Sequence, residues 1–587
     1  MANFLVVRDP DPVRRQAMLR RVEPALAPFA GLRVGALDCS SVAVRWAVAP
    51  EAPESTASGP QGAAVIWGDA RRAGTAAPVK ASELLEAGVS AQYDGYHALL
   101  RMDDRAGLEV AADLFGFFPV YYWTDGDVAL IGASPHLFRW HPRFHVQLSR
   151  EGLAGILLAQ TIVHNQPLLA GVRRLAAGHR MHLPLHGPAA EHHVYRLRWH
   201  DAHHDLGLTD HVALLGEALE AAIARATPAG DGWSMLLSGG LDSRVLLGAN
   251  MRLGRHPSAI TFGRRGDLEA RCATAAARVA RVPHRLLDDT PTNPEEAARR
   301  KIAWEQLAGG FWSAASWSTP PLAGVAAPLL NGLMMDLPLN PHRQRRAWQE
   351  PHGDGTALVK EVMRWGVPAV EVDRLVGLPG FGADLMASWR ARLEASPEGV
   401  SREATLLEVE HRGRFHVGGG LWPISFAAWP ANPMLDQELL KAICGLPLAS
   451  LAERRAEQGL ILDRYRTLAH LPLDRNSWDV QPLAPRLRWM LWDAVSRRLG
   501  RAHIRPRPGP ERRYYYRQAD FNGPVWRAIR EEAERGRGVA STILDGVTLD
   551  RVLPPPSVDV VWANPFAEGA GARALVGFLL WAQEYLA

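Results

Sequence analysis

Six consecutive residues, Ser238-Gly239-Gly240-Leu241-Asp242-Ser243, lie between a short apolar run at 233–237 and a helical pattern at 244–253. Two adjacent glycines let the backbone approach a ligand closely. A helix starting there offers unpaired N–H groups at its positive dipole end. Ser238 and Ser243 add hydroxyls. Asp242 sits well beside a phosphate only when a divalent cation bridges them. Strand, glycine turn, aspartate and helix in this order describe a pyrophosphate cradle with a magnesium ligand. The Gly-Lys-Ser/Thr ending of the Walker loop is absent. Other reactive types are scattered. The histidines 192, 193, 200, 203 and 204 lack cysteine company and, apart from 200 and 204, an i, i+4 frame, so they read as a solvated loop. Residues 497–517 carry eight arginines beside three tyrosines. Such a stretch suits RNA phosphates and bases or an acidic partner, and a charged surface loop is the simpler reading.

The elements that must position the cradle can be read from periodicity. Runs at 4–7, 63–67 and 128–131 alternate with turn signals, so the N-terminal part reads as β-rich. The insert 51–62, EAPESTASGPQG, reads as an exposed loop. A Pro-, Gly- and His-rich stretch, 183–205, marks the main boundary, giving domains 1–200 and 201–587. Beyond it come a helix at 212–226, a strand at 233–237, and a helix at 244–253. A strand at 259–262, a helix at 268–281 and a strand at 284–287 follow. That alternation implies a parallel sheet with helical crossovers, and most of the later chain reads as helical.

Composition narrows the class further. Of 587 residues, 47% are hydrophobic and 22% charged, which excludes a disordered chain. No apolar run is long enough for a membrane span, and no signal-peptide layout opens the chain, so a cytoplasmic protein is expected. The net charge of +4 is too small at this length to imply nucleic acid. Cys39, Cys272 and Cys444 lie too far apart for a disulfide framework or a thiolate zinc site. Lysine occurs only at 80, 301, 360 and 441, leaving few candidates for a catalytic lysine.

The hexapeptide at 238–243 resembles the pyrophosphate loop of the asparagine synthetase family, in which ATP adenylates a carboxylate and an amine displaces AMP. DLFGFFPVYY at 113–122 and GVRRLAAGH at 171–179 look like elements of that family's amidotransferase-like domain. Asn331-Gly332-Leu333-Met334-Met335-Asp336 resembles its second synthetase motif, and 432–436 (NPMLD) and 471–475 (LPLDR) resemble later elements in the same order. The implied fold combines α/β and α+β classes. An N-terminal amidotransferase-like β-sandwich with flanking helices precedes a parallel-sheet ATP-pyrophosphatase domain with many helices. By the same resemblance, ATP is held by Ser238, Gly239, Gly240, Leu241, Asp242, Ser243, Phe262 and Gly332, and Mg2+ by Asp242 and Asp336. Without the first motif, Asp336 would read as a loop aspartate capping its own turn.

Two departures from the family decide the subtype. Glutamine-hydrolysing members use a cysteine directly after the initiator methionine, where this chain has Ala2, so no glutaminase activity is expected. The family's late lysine is replaced by Ser477, and Arg475 is the candidate substitute cation, with a structural pairing to Asp474 or Asp479 as the alternative. The length, the missing cysteine and the NGLMMD and LPLDRN forms look most like the lasso-peptide cyclases. That resemblance implies adenylation of an Asp or Glu side chain of a precursor peptide and ring closure by the peptide's own N-terminal amine. It also implies a leader-removing protease as partner. Aromatic stretches at 311–317 and 418–423 are candidates to line a peptide cavity, although single aromatics usually belong to the core. A β-lactam-synthetase-like or ammonia-dependent amide ligase, or a catalytically dead peptide-binding scaffold, are the alternatives.

Overall fold

The structure, a computed structural model, describes residues 3–39, 41–60, 62–89, 92–318, 322–339, 359–360, 363–474, 481–487, 490–491, 495, 513–562 and 566–587. In chain order the N-terminal strands are β1 (Asn3–Arg8), β2 (Arg33–Asp38), β3 (Val42–Val48), β4 (Glu54–Gly59), β5 (Gly62–Gly68), β6 (Arg71–Arg72), β7 (Tyr93–Asp94), β8 (His97–Asp103), β9 (Gly107–Ala112), β10 (Tyr121–Asp125), β11 (Val128–Gly132), β12 (Arg173–Arg174), β13 (His179–Leu183) and β14 (Ala190–His193). They form two six-stranded antiparallel sheets, ordered β12-β10-β11-β1-β3-β2 and β14-β13-β9-β8-β5-β4, plus a small β6-β7 ribbon. Helices α1 (Pro12–Val22), α2 (Ala81–Ala87) and α3 (Arg150–Ala159) accompany them.

Side-chain alternation explains how the sheets stack, since neighbours along a strand point to opposite faces. Ala63, Val65 and Trp67 of β5 enter the main core, where Phe4 of β1 stacks on Trp67 with ring centroids 4.4 Å apart. Ala64 and Ile66 turn the other way, onto Ala81 and Leu84 of α2. The insert at 51–62 departs from expectation: it holds the edge strand β4, paired with β5 from Glu54↔Trp67 to Gly59↔Gly62. Small polar side chains carry no apolar period, and only the backbone ladder makes this a strand.

In the second half, β15 (Ser234–Leu236), β16 (Ser258–Phe262), β17 (His284–Leu287), β18 (Leu329–Leu330) and β19 (Pro430–Ala431) form a parallel sheet ordered β17-β16-β15-β18-β19. Its crossovers include α5 (Leu241–Arg252) and α6 (Leu268–Ala280), preceded by α4 (Leu208–Ala226) and followed by α7 (Pro294–Glu305). Among the described residues, helices dominate from there to Tyr585. Helix α5 starts at Leu241 rather than 244, so Asp242 and Ser243 occupy its first turn. The strand order has a consequence for binding. The chain leaves β15 to one side for β16 and β17, then returns to its other side with β18, so a crevice opens beyond the strand ends between β15 and β18. Ligands of open parallel sheets bind at such a switch point.

The two halves share one core cluster, which runs from Phe4 to Tyr585. No helix or strand lies between β14 and α4, the stretch containing the expected boundary at 200/201. Polar ties cross the seam. Arg414 donates to Gly116 O and Asn165 Oδ1 (both 3.3 Å) and to Leu175 O. Asp94 Oδ1 accepts from Gln437 N at 3.1 Å, and Gly95 N donates to Leu435 O at 2.9 Å. Among the described residues, no helix is long and apolar enough to cross a membrane.

Candidate active site

The Ser-Gly-Gly turn leaves β15 at the switch point and runs straight into α5. Its serines close the turn on itself. Ser238 N donates to Ser243 Oγ at 2.9 Å, the two hydroxyls lie 2.9 Å apart, and Gly240 N donates to Ser238 Oγ at 3.1 Å. Ser243 is buried, so its first task is to shape the loop. Gly239 is required by close approach: a Cβ there would lie 3.0 Å from Asp474 Cβ and from Glu269 Cα. Leu241 turns its side chain into the core. Phe262 ends the neighbouring strand β16, half-buried against the cluster around Ile260 and Leu329.

The second motif arrives from across the crevice. A Cβ on Gly332 would lie 3.3 Å from Asp242 Cβ, which puts the 331–336 loop against the start of α5. Asn331 and Asn432 fasten it. Asn432 Nδ2 donates to Asn331 Oδ1 at 3.0 Å and to Leu333 O at 2.9 Å, while Asn331 Nδ2 donates to Ala431 O at 3.0 Å. The 432–436 element is therefore a scaffold. Buried Asp436 takes Arg225 through two 2.7 Å contacts and caps the helix Gln437–Cys444 through Leu439 N.

The 471–474 element closes the third side. Asp474 N donates to Gly239 O at 2.9 Å. Buried Arg244 of α5 holds the preceding turn, donating to Leu471 O at 3.0 Å and to Pro472 O. The partner of Asp474 is Arg513, at 3.2 Å, with both side chains buried. Arg475 and Ser477 lie outside the described residues, as do 497–512. The described end of the arginine-rich stretch is not a charged surface loop. Arg513 is buried on Asp474, Arg517 pairs with Asp267 (Nη2–Oδ2 2.6 Å), and Tyr514 donates to Asp289. Folding turns these positive charges inward because each meets a carboxylate at the ends of the parallel strands.

Charges converge on Asp242. Burial, with the neighbouring Asp336 carboxylate, pushes its carboxyl up against the pull of Arg454. Arg454 bonds Asp242 directly and grips Glu457 through Nε–Oε2 at 2.7 Å. Glu457 is fully buried, and burial, with the neighbouring Asp242 carboxylate, raises its carboxyl well above the usual range against the pull of Arg454. Burial pulls Arg454 down, but Glu457, Asp242 and Asp336 together hold it above its ordinary value. Asp336 Oδ2 also lies 3.8 Å from Arg412 Nη1. Tyr515 has its hydroxyl pushed up to about 12 by local desolvation, then by Glu269, Asp474, Asp242 and Asp336. Glu269 is itself raised by burial, and its Oε1 is buried without a hydrogen-bond partner among the described residues.

Arg454, Glu457 and Tyr515 were not legible as site residues. The run ERRAE at 453–457 reads as a charged helix face, and 212 residues separate Arg454 from Asp242. The aromatic stretches are mainly core, with Phe311, Trp317 and Trp422 all buried. The histidine stretch is partly structured: His192 and His193 belong to β14, and His200 Nε2 lies 3.0 Å from Lys441 O. Cys39 is half-buried, and burial with Asp104 and Asp38 pushes its thiol up, which disfavours a nucleophilic thiolate.

No cluster of three or more metal-ligating side chains occurs among the described residues. Magnesium on a nucleotide needs only one or two carboxylates, its other ligands being phosphate oxygens and water. Asp242 and Asp336, close enough for their charges to oppose each other, fit that donor set. The arrangement brings a helix N-terminus, two carboxylates suited to a divalent ion, and a guanidinium together at the strand ends. Compared with known proteins, the chain matches no family model and no curated protein.

Proposed function

We propose that this chain is an ATP-dependent, AMP-forming amide ligase of the asparagine synthetase kind, and a macrolactam synthetase acting on a leader-cleaved precursor peptide. The observation that carries the reading is convergence at the switch point. The 238–243 turn, the 331–336 loop and the 471–474 segment, far apart in the sequence, meet at the start of α5. Asp242 and Asp336 would hold magnesium, which neutralises phosphate charge when bound. The N-terminal end of α5, where the dipole is positive, would orient the polyphosphate. The peptide's Asp or Glu carboxylate would attack the α-phosphorus, forming an acyl-adenylate with release of pyrophosphate. Its N-terminal amine would then displace AMP, losing one proton as the amide forms. The N-terminal half, with its two antiparallel sheets, is read as an amidotransferase-like domain without glutaminase chemistry.

Mass spectrometry tests the reading. A leader-free candidate peptide is incubated with the chain, Mg-ATP and the partner protease, and AMP is followed in parallel. Loss of one water from the peptide with AMP release, both abolished by Asp242→Ala, is expected. AMP without a dehydrated peptide would redirect the substrate to another amide ligation. No AMP and no binding of Mg-ATP would leave a peptide-binding scaffold.

A further inference from the structure

Arg454 has no part in the steps above, yet it stands beside the carboxylate they depend on. Glu453 and Arg454 both hold left-handed backbone, with φ of 55° and 61°, a conformation that residues with side chains rarely adopt and more rarely in succession. That backbone is pinned by Gln458, whose Nε2 donates to Glu453 O at 2.7 Å. It aims the guanidinium so that one fork spans two carboxyls: Nε and Nη2 reach Glu457 at 2.7 and 3.3 Å, and Nη2 also bonds Asp242. Glu457 is fully buried and holds Arg454 through a contact separate from the one to Asp242.

If the cleft takes Mg-ATP as read above, Asp242 faces two competing cations. A guanidinium and a magnesium ion attract the same carboxylate, and each lowers the other's affinity for it. A polyphosphate entering the cleft brings more negative charge than one magnesium ion offsets. We propose that Arg454 is an exchangeable counter-ion. It pairs with Asp242 until magnesium on the nucleotide takes that carboxylate, then turns about its Glu457 anchor to bind the nucleotide's phosphates. Arg454 thus supplies, from outside the 471–475 element, a cation that contacts the ATP polyphosphate. This inference rests on the reading of the cleft as a Mg-ATP site and adds how the site couples metal to nucleotide.

Calorimetric titration of the full chain separates the alternatives. Wild type, Arg454→Gln and Arg454→Lys are each titrated with Mn2+ alone and with magnesium plus α,β-methylene-ATP, and thermal melts check folding. Removing the counter-ion should tighten Mn2+ binding about threefold or more. Loss of a charge-assisted phosphate contact should weaken the nucleotide about tenfold. The two affinities move in opposite directions, which a merely structural ion pair would not produce. Arg454→Lys keeps the charge without the fork, so it shifts both affinities the same way but less, and it carries the test if the glutamine variant does not fold. Affinities that stay unchanged, or fall together, overturn the inference while wild-type Mg-nucleotide binding leaves the ligase reading standing. A wild-type chain that binds no Mg-nucleotide overturns the reading of the cleft and this inference with it.

Discussion

Gly239 is the residue whose replacement separates shape from charge. It leaves the carboxylates untouched, but an added methyl would press on Asp474, Glu269 and Cys272, with Cβ contacts of 3.0–3.1 Å, tight enough that the neighbours must give by a few tenths of an ångström. Two of these neighbours cannot retreat cheaply, because Glu269 presents backbone and Asp474 is tied to Gly239 O through its own N–H. Gly239→Ala should therefore lower Mg-ATP affinity by about tenfold or more, with stability reduced by about 1–3 kcal/mol. Titration calorimetry beside a urea melt checks both; unchanged nucleotide affinity would mean the turn does not face the ligand. Asp242 poses a different question. Its raised carboxyl, crowded by Asp336 and partnered by Arg454, is costly to keep charged. Asp242→Asn should leave the melting temperature within a few degrees of wild type while AMP formation falls by about a hundredfold or more, the scale expected when a charge-stabilising group is lost. A quenched AMP assay decides it.

At the scale of elements, the site depends on how one helix grips a distant turn. Helix α5 carries both Asp242 and Arg244 in its first turn, and Arg244 is buried with carbonyls of 468, 471 and 472 as its partners. Burial lowers its guanidinium to about 10, still charged at neutral pH. Arg244→Met would keep the apolar stem and abandon those carbonyls, at a cost of about 3 kcal/mol. It should also release the 471–474 segment from Gly239, so KM for ATP rises while the secondary structure seen by circular dichroism is kept. A variant with lowered stability but unaltered KM would show that 471–474 is structural packing alone.

Over the whole molecule, the antiparallel half and the parallel half behave as one body, because they share a core and exchange polar contacts such as His136 with Tyr585 and Ser134 with Trp304 O. His136 sits in that seam among Trp140, Trp304 and Tyr585, and burial pulls its imidazole down to about 3. Unfolded, the same ring takes a proton near its ordinary value of 6.5. Between those limits the unfolded chain binds the extra proton, so this histidine's contribution to stability is complete above about 6.5 and is lost as pH falls. The loss is up to about 1.4 kcal/mol per pH unit. His97 and His411, lowered by burial to about 3 and about 4, act in the same sense. Asp113, raised by burial to about 6, acts in the opposite sense. The single variant His136→Phe isolates one term: the loss of unfolding free energy between pH 7 and pH 5 should shrink by about 2 kcal/mol. Urea melts at the two pH values measure it, and an unaltered difference would mean that His136 is protonated in the folded chain.

The alternation of strand and helix from 233 to 287 was legible from sequence alone, and the strand at 284–287 agrees with β17 residue for residue. So was the position of the Ser-Gly-Gly turn at a strand end, because hydrophobic period, glycine and helix start are properties of a window of ten or so residues. Local pattern also suggested that Gly332 and Asp336 belong with Asp242, but only by resemblance of the order of motifs. The tertiary structure alone decided that β18 pairs with β15 rather than with β17, which brings the 331–336 loop to α5. It alone decided that Asp474 meets Arg513 and that Arg454 reaches Asp242. Such choices depend on which strand edges pair and which charges are buried together across 39 to 212 residues. No short-range period encodes them, because the energy that selects them appears only when distant surfaces close on one another.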